Sequence, residues 1–222
     1  MKNVWWILAL ALACGCGKKE EAPPAKVAAQ VTPPPTTPPR RDPRPAIVCF
    51  GDSITAGFGL DTGQSFPDLL QQDIDRRGLQ YRVVNMGISG DTTQDGLGRM
   101  SMALAEKPAI VLLELGGNDG LRGIPISITE ANLGQMIEAF QAAGARVVLA
   151  GMTLPPNYGE TYIRQFEKVF RDTAAKHKIT LIPFLLEGVG GHNDLMQRDG
   201  LHPNAEGAKK VEALVVKSLG LH

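Results

Sequence analysis

Apolar residues along this chain gather in short continuous runs separated by amphipathic stretches. Ala46-Ile47-Val48-Cys49-Phe50 is one such run, and Val83-Val84, flanked by Tyr81 and Met86, is a second. Ala109 to Leu115, Arg146 to Met152 and the shorter Thr180 to Pro183 follow. They lack period-two alternation, so they predict strands buried on both faces. Helical patterns lie between them. Ser65 to Arg77 opens on a Ser65 cap and carries Pro67 near the first turn, where a missing N–H is tolerated. Ile128 to Ala143 is amphipathic and stops at Gly144. Tyr162 to His177 and Ala205 to Leu219 complete the set. Strands alternating with helices imply an α/β fold with a parallel sheet covered on both faces. In such sheets the chemistry gathers beyond the carboxyl ends of the strands.

The pattern changes ahead of Ala46. Met1-Lys2-Asn3 is a short basic start, and Val4 to Ala13 is an apolar run of ten residues, too short for a stable bilayer span. This is signal-peptide anatomy. Cys14 and Cys16 follow, and the segment resembles a bacterial lipoprotein signal, in which a cysteine after small residues is lipidated and becomes the new N-terminus. Both cysteines are candidates, and each has Ala three positions before it where the motif prefers Leu. A plain secretory signal and an uncleaved anchor are the alternatives. Gly17 to Pro45 holds Pro33-Pro34-Pro35 and Pro38-Pro39, a composition that buries too little apolar surface to fold and favours extended polyproline II. It is expected to be a spacer, with a proline-rich docking motif as the alternative. The chain therefore divides into a signal peptide over 1–16, a linker over 17–45 and a folded domain over 46–222.

With 23 basic and 23 acidic side chains the formal net charge is +0, so no general attraction draws the chain to nucleic acid. The residues beyond the linker suffice for one domain with a substantial core. Cys49, inside an apolar run, is expected to be a small core residue, and no structural disulfide is implied.

Polar, glycine-bearing loops follow the strands. Gly51-Asp52-Ser53-Ile54-Thr55 comes after the first, Asn85 to Asp91 after the second and Gly116-Gly117-Asn118-Asp119 after the third. Asp199-Gly200-Leu201-His202-Pro203-Asn204 precedes the last helix. Together they offer a hydroxyl, an imidazole, a carboxylate and an amide donor, the groups that acyl transfer needs. In order, these segments resemble the four blocks of the GDSL/SGNH hydrolases. ELGGNDGLRG at Glu114 to Gly123 and LPPNYGETY at Leu154 to Tyr162 are similar to the bacterial thioesterase I/lysophospholipase/arylesterase branch, and the likeness runs from about Ile47 to the end.

That resemblance implies a three-layer α/β/α sandwich on a five-stranded parallel, flavodoxin-like sheet. It implies Ser53 as nucleophile, His202 as general base and Asp199 as the carboxylate orienting the imidazole. It implies an oxyanion hole made by the backbone N–H groups of Ser53 and Gly90 and the side-chain amide of Asn118. The spacing is physically sound. Asp199 and His202 are three apart, within side-chain reach. Gly90 has no side chain to hold its N–H away from substrate, and Asn118 supplies a neutral donor.

The function so implied is a serine esterase acting on small acyl esters or thioesters, including lysophospholipids and aryl esters. A carbohydrate O-acetylesterase is the alternative within hydrolysis. A non-catalytic envelope module is the alternative outside it, disfavoured because a binder needs no such complete set. Leu154, Pro155 and Tyr158, after the fourth strand, are expected to wall an acyl chain, with Gly159 as a possible hinge. The signal predicts export to the periplasm and a lipid-anchored membrane association. No cofactor or metal is expected, because no paired ligand motif is present, and Gly57-Phe58-Gly59 fails dinucleotide spacing at Thr62. His192 is a rival base. Asp52 is expected to bond within its own turn, Asp91 and Asp119 to shape loops or cap helices, and His177 to sit on a solvated helix end.

Overall fold

A computed structural model describes residues 42–221. Five strands form one parallel sheet: β1 (Ala46–Gly51), β2 (Arg82–Gly87), β3 (Pro108–Glu114), β4 (Arg146–Ala150) and β5 (Thr180–Ile182), in the order β2-β1-β3-β4-β5. Seven helices connect them: α1 (Ser53–Ala56), α2 (Phe66–Arg76), α3 (Thr93–Ala105), α4 (Gly117–Leu121), α5 (Ile126–Ala142), α6 (Glu160–His177) and α7 (Ala205–Leu219). α2 packs on α7, while α5 packs on both α3 and α6. Helices cover both faces of the sheet, as the alternation of runs requires. The expected signal peptide, including Cys14 and Cys16, and most of the expected linker lie outside the described residues.

Burial follows sheet position. All six residues of β1 are buried and β3 is nearly so, whereas β2 and β5, the two edges, are partly exposed. The expectation of strands buried on both faces therefore holds for the centre and fails at β2, whose Asn85 is exposed. Cys49 pairs in register with Asn85 and Leu112 and is fully buried, and burial pushes its thiol far up.

The strand order reverses between β1 and β3, the switch point where open parallel sheets place their ligands. Ser53 follows β1 and Asn118 follows β3, so topology alone puts both at that crevice. Arg99, from α3, ties the crevice together. Its guanidinium lies 4.1 Å over the Phe50 ring, donates to the carbonyls of Gly51 and Met86, and pairs with Asp91 at 2.6 Å.

Three local features depart from the sequence reading. Helix α3 was not foreseen, because Gly96 and Gly98 dilute its pattern. Thr92 and Asp95 nevertheless form a capping box, and Gly96 is buried where a Cβ would collide with Leu115 of the core. The residue that weakens the helix signal lets the helix approach the sheet. Two expected loops, those of Ser53 and Asn118, wind into the short helices α1 and α4. His177 ends α6 as expected but is not solvated. Its side chain is 7% exposed and its ring packs against Gly134 of α5.

Candidate functional site

The site begins where β1 runs into α1. Asp52 caps the helix, its Oδ1 accepting the Ile54 N–H at 3.0 Å. Gly51 is obligatory, because a Cβ there would collide with Thr55 and the Glu114 carboxyl. This sharp strand-to-helix turn leaves the Ser53 hydroxyl facing a cleft. His202 Nε2 lies 2.8 Å from Ser53 Oγ, and His202 Nδ1 lies 2.7 Å from Asp199 Oδ2. With a carboxylate at Nδ1, the proton sits on Nδ1 and Nε2 is left to accept from the serine. The other Asp199 oxygen accepts the N–H groups of Leu201 and His202 at 2.9 and 3.1 Å. Partial burial opposes the Asp199 charge, but the imidazole and these two N–H donors outweigh it and hold the carboxyl below the usual range.

The base loop is braced by Gln197. Its N–H donates to the His202 carbonyl, and its side chain donates to the carbonyls of Phe58 and Pro203. The Phe58 ring rests on the His202 ring at 4.7 Å between centroids. Asn204 caps α7 and donates back to Asp194.

The other wall carries donors. Gly90 has φ of +88°, so its conformation demands glycine. Space does not, since a Cβ would meet only Arg122 at 3.6 Å. Arg122 donates to the Gly90 carbonyl at 2.8 Å. Among the described residues, the N–H groups of Ser53 and Gly90 donate to no other acceptor. Asn118 Nδ2 donates to Asp52 Oδ2 and to the Asp91 carbonyl, both at 3.0 Å. Asp52 thus bonds in its own turn, as expected, and also reaches across to Asn118. Asp119 accepts from Thr93 and Thr129 and anchors the start of α3. Sequence reasoning passed over Glu114. It is fully buried at the end of β3 and accepts the Asp52 N–H at 3.1 Å and the Thr55 hydroxyl at 2.7 Å. Burial first, and then the neighbouring Asp52 charge, push its carboxyl well above the usual range. The signal was an acid closing an otherwise apolar run.

A cleft of about 710 Å³ opens above these groups, with Ser53, Gly90, Asn118 and His202 in its lining. Leu154 and Pro155 line it, joined by Leu121, Met152, Phe184, Leu186 and Met196. Tyr158 does not, contrary to expectation. Its hydroxyl donates to the Leu121 carbonyl, its ring stacks with Tyr162, and Tyr162 donates to the Gly120 carbonyl. These bonds tie the loop after β4 to α4. Phe184, Leu186, Gly190 and Gly191 join the lining from a stretch with no motif. His192 is exposed and lies outside the lining. Among the described residues, no group of three His, Cys, Asp or Glu side chains could hold a metal ion.

Several known proteins are similar to this chain. Residues 49–210 match the GDSL-like Lipase/Acylhydrolase family. Esterase TesA of Pseudomonas aeruginosa is 51% identical over 158 residues, covering 71% of this chain and 79% of that protein. Thioesterase 1/protease 1/lysophospholipase L1 of Escherichia coli is 37% identical over 174 residues, covering 78% and 82%. A crystal structure of TesA superposes with a TM-score of 0.76 at 47% identity, covering 78% of this chain and 97% of that one.

Proposed function

The chain belongs to the GDSL-like Lipase/Acylhydrolase family, and on that premise we propose that it is an exported serine esterase cleaving acyl esters or thioesters through an acyl-enzyme. The observation that carries this reading is the 2.8 Å contact of Ser53 Oγ with His202 Nε2, in a ring whose far nitrogen meets Asp199. Ser53 attacks the ester carbonyl while His202 takes its proton, and Asp199 stabilises the imidazolium. The carbonyl oxygen becomes an anion facing the N–H groups of Ser53 and Gly90 and the Asn118 amide, donors aimed where charge develops. His202 then protonates the leaving alcohol or thiol. Water, activated by the same ring, releases the acid.

The apolar cleft favours acyl chains longer than acetyl, which would leave most of about 710 Å³ unfilled. An acyl series of oxygen esters, thioesters and lysophospholipids tests this. Rates are expected to rise beyond acetyl, and Ser53→Ala to lose the acylation burst. Activity confined to acetyl esters would transfer the chain to the O-acetylesterase reading, and full turnover by Ser53→Ala would remove the serine from the mechanism. The apolar run before Cys14 and Cys16 supports a periplasmic, lipid-anchored location. Labelled palmitate should enter the full chain in cells, and replacing both cysteines should abolish it.

A further inference from the structure

Large apolar side chains that stand in water are few on this molecule, and they are unevenly placed. Among the described residues they are Phe58, Ile88, Met102, Ile128 and Leu201. Three of these five, Phe58 at 51%, Ile88 at 48% and Leu201 at 40% exposed, adjoin catalytic groups. Phe58 lies on the His202 ring, and Leu201 precedes His202 and donates its N–H to Asp199. Ile88 stands two residues before Gly90, and its N–H is tied to the Gly51 carbonyl at 3.0 Å, beside the nucleophile turn. Phe58 and Leu201 also line the cleft, so its apolar lining continues outward onto the rim. Exposed apolar groups gathered around a cleft mark a contact surface.

Charge indicates which kind of surface. Arg122 and Arg198 are exposed, and neither lies within ion-pair distance of a carboxylate among the described residues. Arg122 is held at the rim by its bond to the Gly90 carbonyl, and Arg198 adjoins Asp199 in the base loop. The acids beside them are already engaged, Asp199 with His202 and Asp91 with Arg99. Apolar side chains flanked by unneutralised guanidinium groups suit a layer of acyl chains beneath anionic phosphates.

We propose that Phe58, Ile88 and Leu201, with Arg122 and Arg198, dock the mouth of the cleft onto an anionic lipid layer, from which an acyl chain enters without crossing water. The apolar groups give up their contact with water as they enter the layer, and the cations meet its phosphates. The purpose of the docking rests on the esterase reading above, whereas the docking itself does not.

The test uses the full chain and two substrates. One is p-nitrophenyl palmitate carried in vesicles of equal parts phosphatidylglycerol and phosphatidylcholine, and the other is p-nitrophenyl butyrate in free solution. Ile88 and Arg198 lie outside the cleft lining, so their substitution should leave butyrate turnover unchanged and thereby report a folded enzyme. On the vesicles Ile88→Asp should lose about tenfold, the scale of one half-buried apolar side chain. Ile88→Ser should lose less, and Arg198→Gln about fivefold. Met102→Asp should lose nothing, since Met102 is near the end of α3, at the edge of the sheet where β3 begins. Vesicles of phosphatidylcholine alone should slow the wild type and bring it level with Arg198→Gln. Flotation, at lipid concentrations that float half of the wild type, should rank the variants in the same order. Wild-type rates and flotation in Ile88→Asp and Arg198→Gln overturn the proposal, as does a loss as large in Met102→Asp or an equal loss on butyrate. A wild-type dimer that Ile88→Asp splits would give the patch to a second copy of the chain and overturn it too. A wild type inert on both esters would instead sink the esterase reading, and the flotation ranking would still decide the docking.

Discussion

On the nucleophile side of the cleft, buried polar groups are bonded across long stretches of chain, while on the base side most bonds are local and partly exposed. Asn118 reaches Asp52 across 66 positions, Asp52 reaches Glu114 across 62, and Arg99 reaches Gly51 across 48. Asp199 bonds Leu201 and His202 across two and three positions, with its side chain 37% exposed. The difference follows from what each side must do. Oxyanion donors act only if they are fixed before the charge appears, and a cross-braced, water-poor wall fixes them. A base must accept a proton and give it up again, and a ring hinged in a short loop needs only its orientation set. Gln197 and the Phe58 ring supply the long-range anchorage there.

Substitutions can break or sharpen that contrast. The largest expected effect is on the base side. His202→Ala should lower kcat by about 10⁴–10⁶-fold, the scale on which members of such a triad fail, while the melting temperature hardly moves. A large loss of stability would show that the base loop is structural after all. Next comes the opposite wall. Arg99→Met leaves Asp91 without its cation in a pair only 13% exposed on each partner, and breaking a buried pair costs about 3–5 kcal/mol. Urea unfolding should show most of that loss, and folded variant should retain Ser53 labelling but turn over slowly, since Asp91 carries an Asn118 acceptor. Unchanged unfolding would dismiss the bracing role. The smallest effect is expected at Gln197→Ala. Loss of its side-chain bonds should destabilise by about 1 kcal/mol and lower kcat modestly, through a less ordered base. A kcat loss as large as that of His202→Ala would put Gln197 in the reaction itself.

Much of the architecture was legible because it is written in local pattern. The runs at Ala46, Ala109 and Arg146 mark the central strands, and the Ser65 cap and Gly144 stop mark helix ends, since propensity and burial agree there. Helix α3 was hidden because its packing contradicts its propensity: Gly96 is poor helix former and good neighbour to Leu115. Tyr158 was placed in the cleft by its position in the chain, yet a tyrosine beside a carbonyl at the end of α4 turns to bond it. His177 was placed in solvent because a helix end usually lies there, and the gap beside Gly134 drew the ring inward.

Sequence by itself determined which chemical groups this chain owns and the order in which they come: a serine after one strand, an amide after another, and a carboxylate three residues before an imidazole. Those are properties of neighbours along the chain, and turn and strand preferences act at that range. Only the tertiary structure decided that Glu114 stands under Asp52, that Asp52 and Asp91 grip one nitrogen of Asn118, and that Phe58 lies on His202. Such contacts join residues tens of positions apart, and the sheet order that brings them together is fixed by burial of the whole core, which no local pattern encodes.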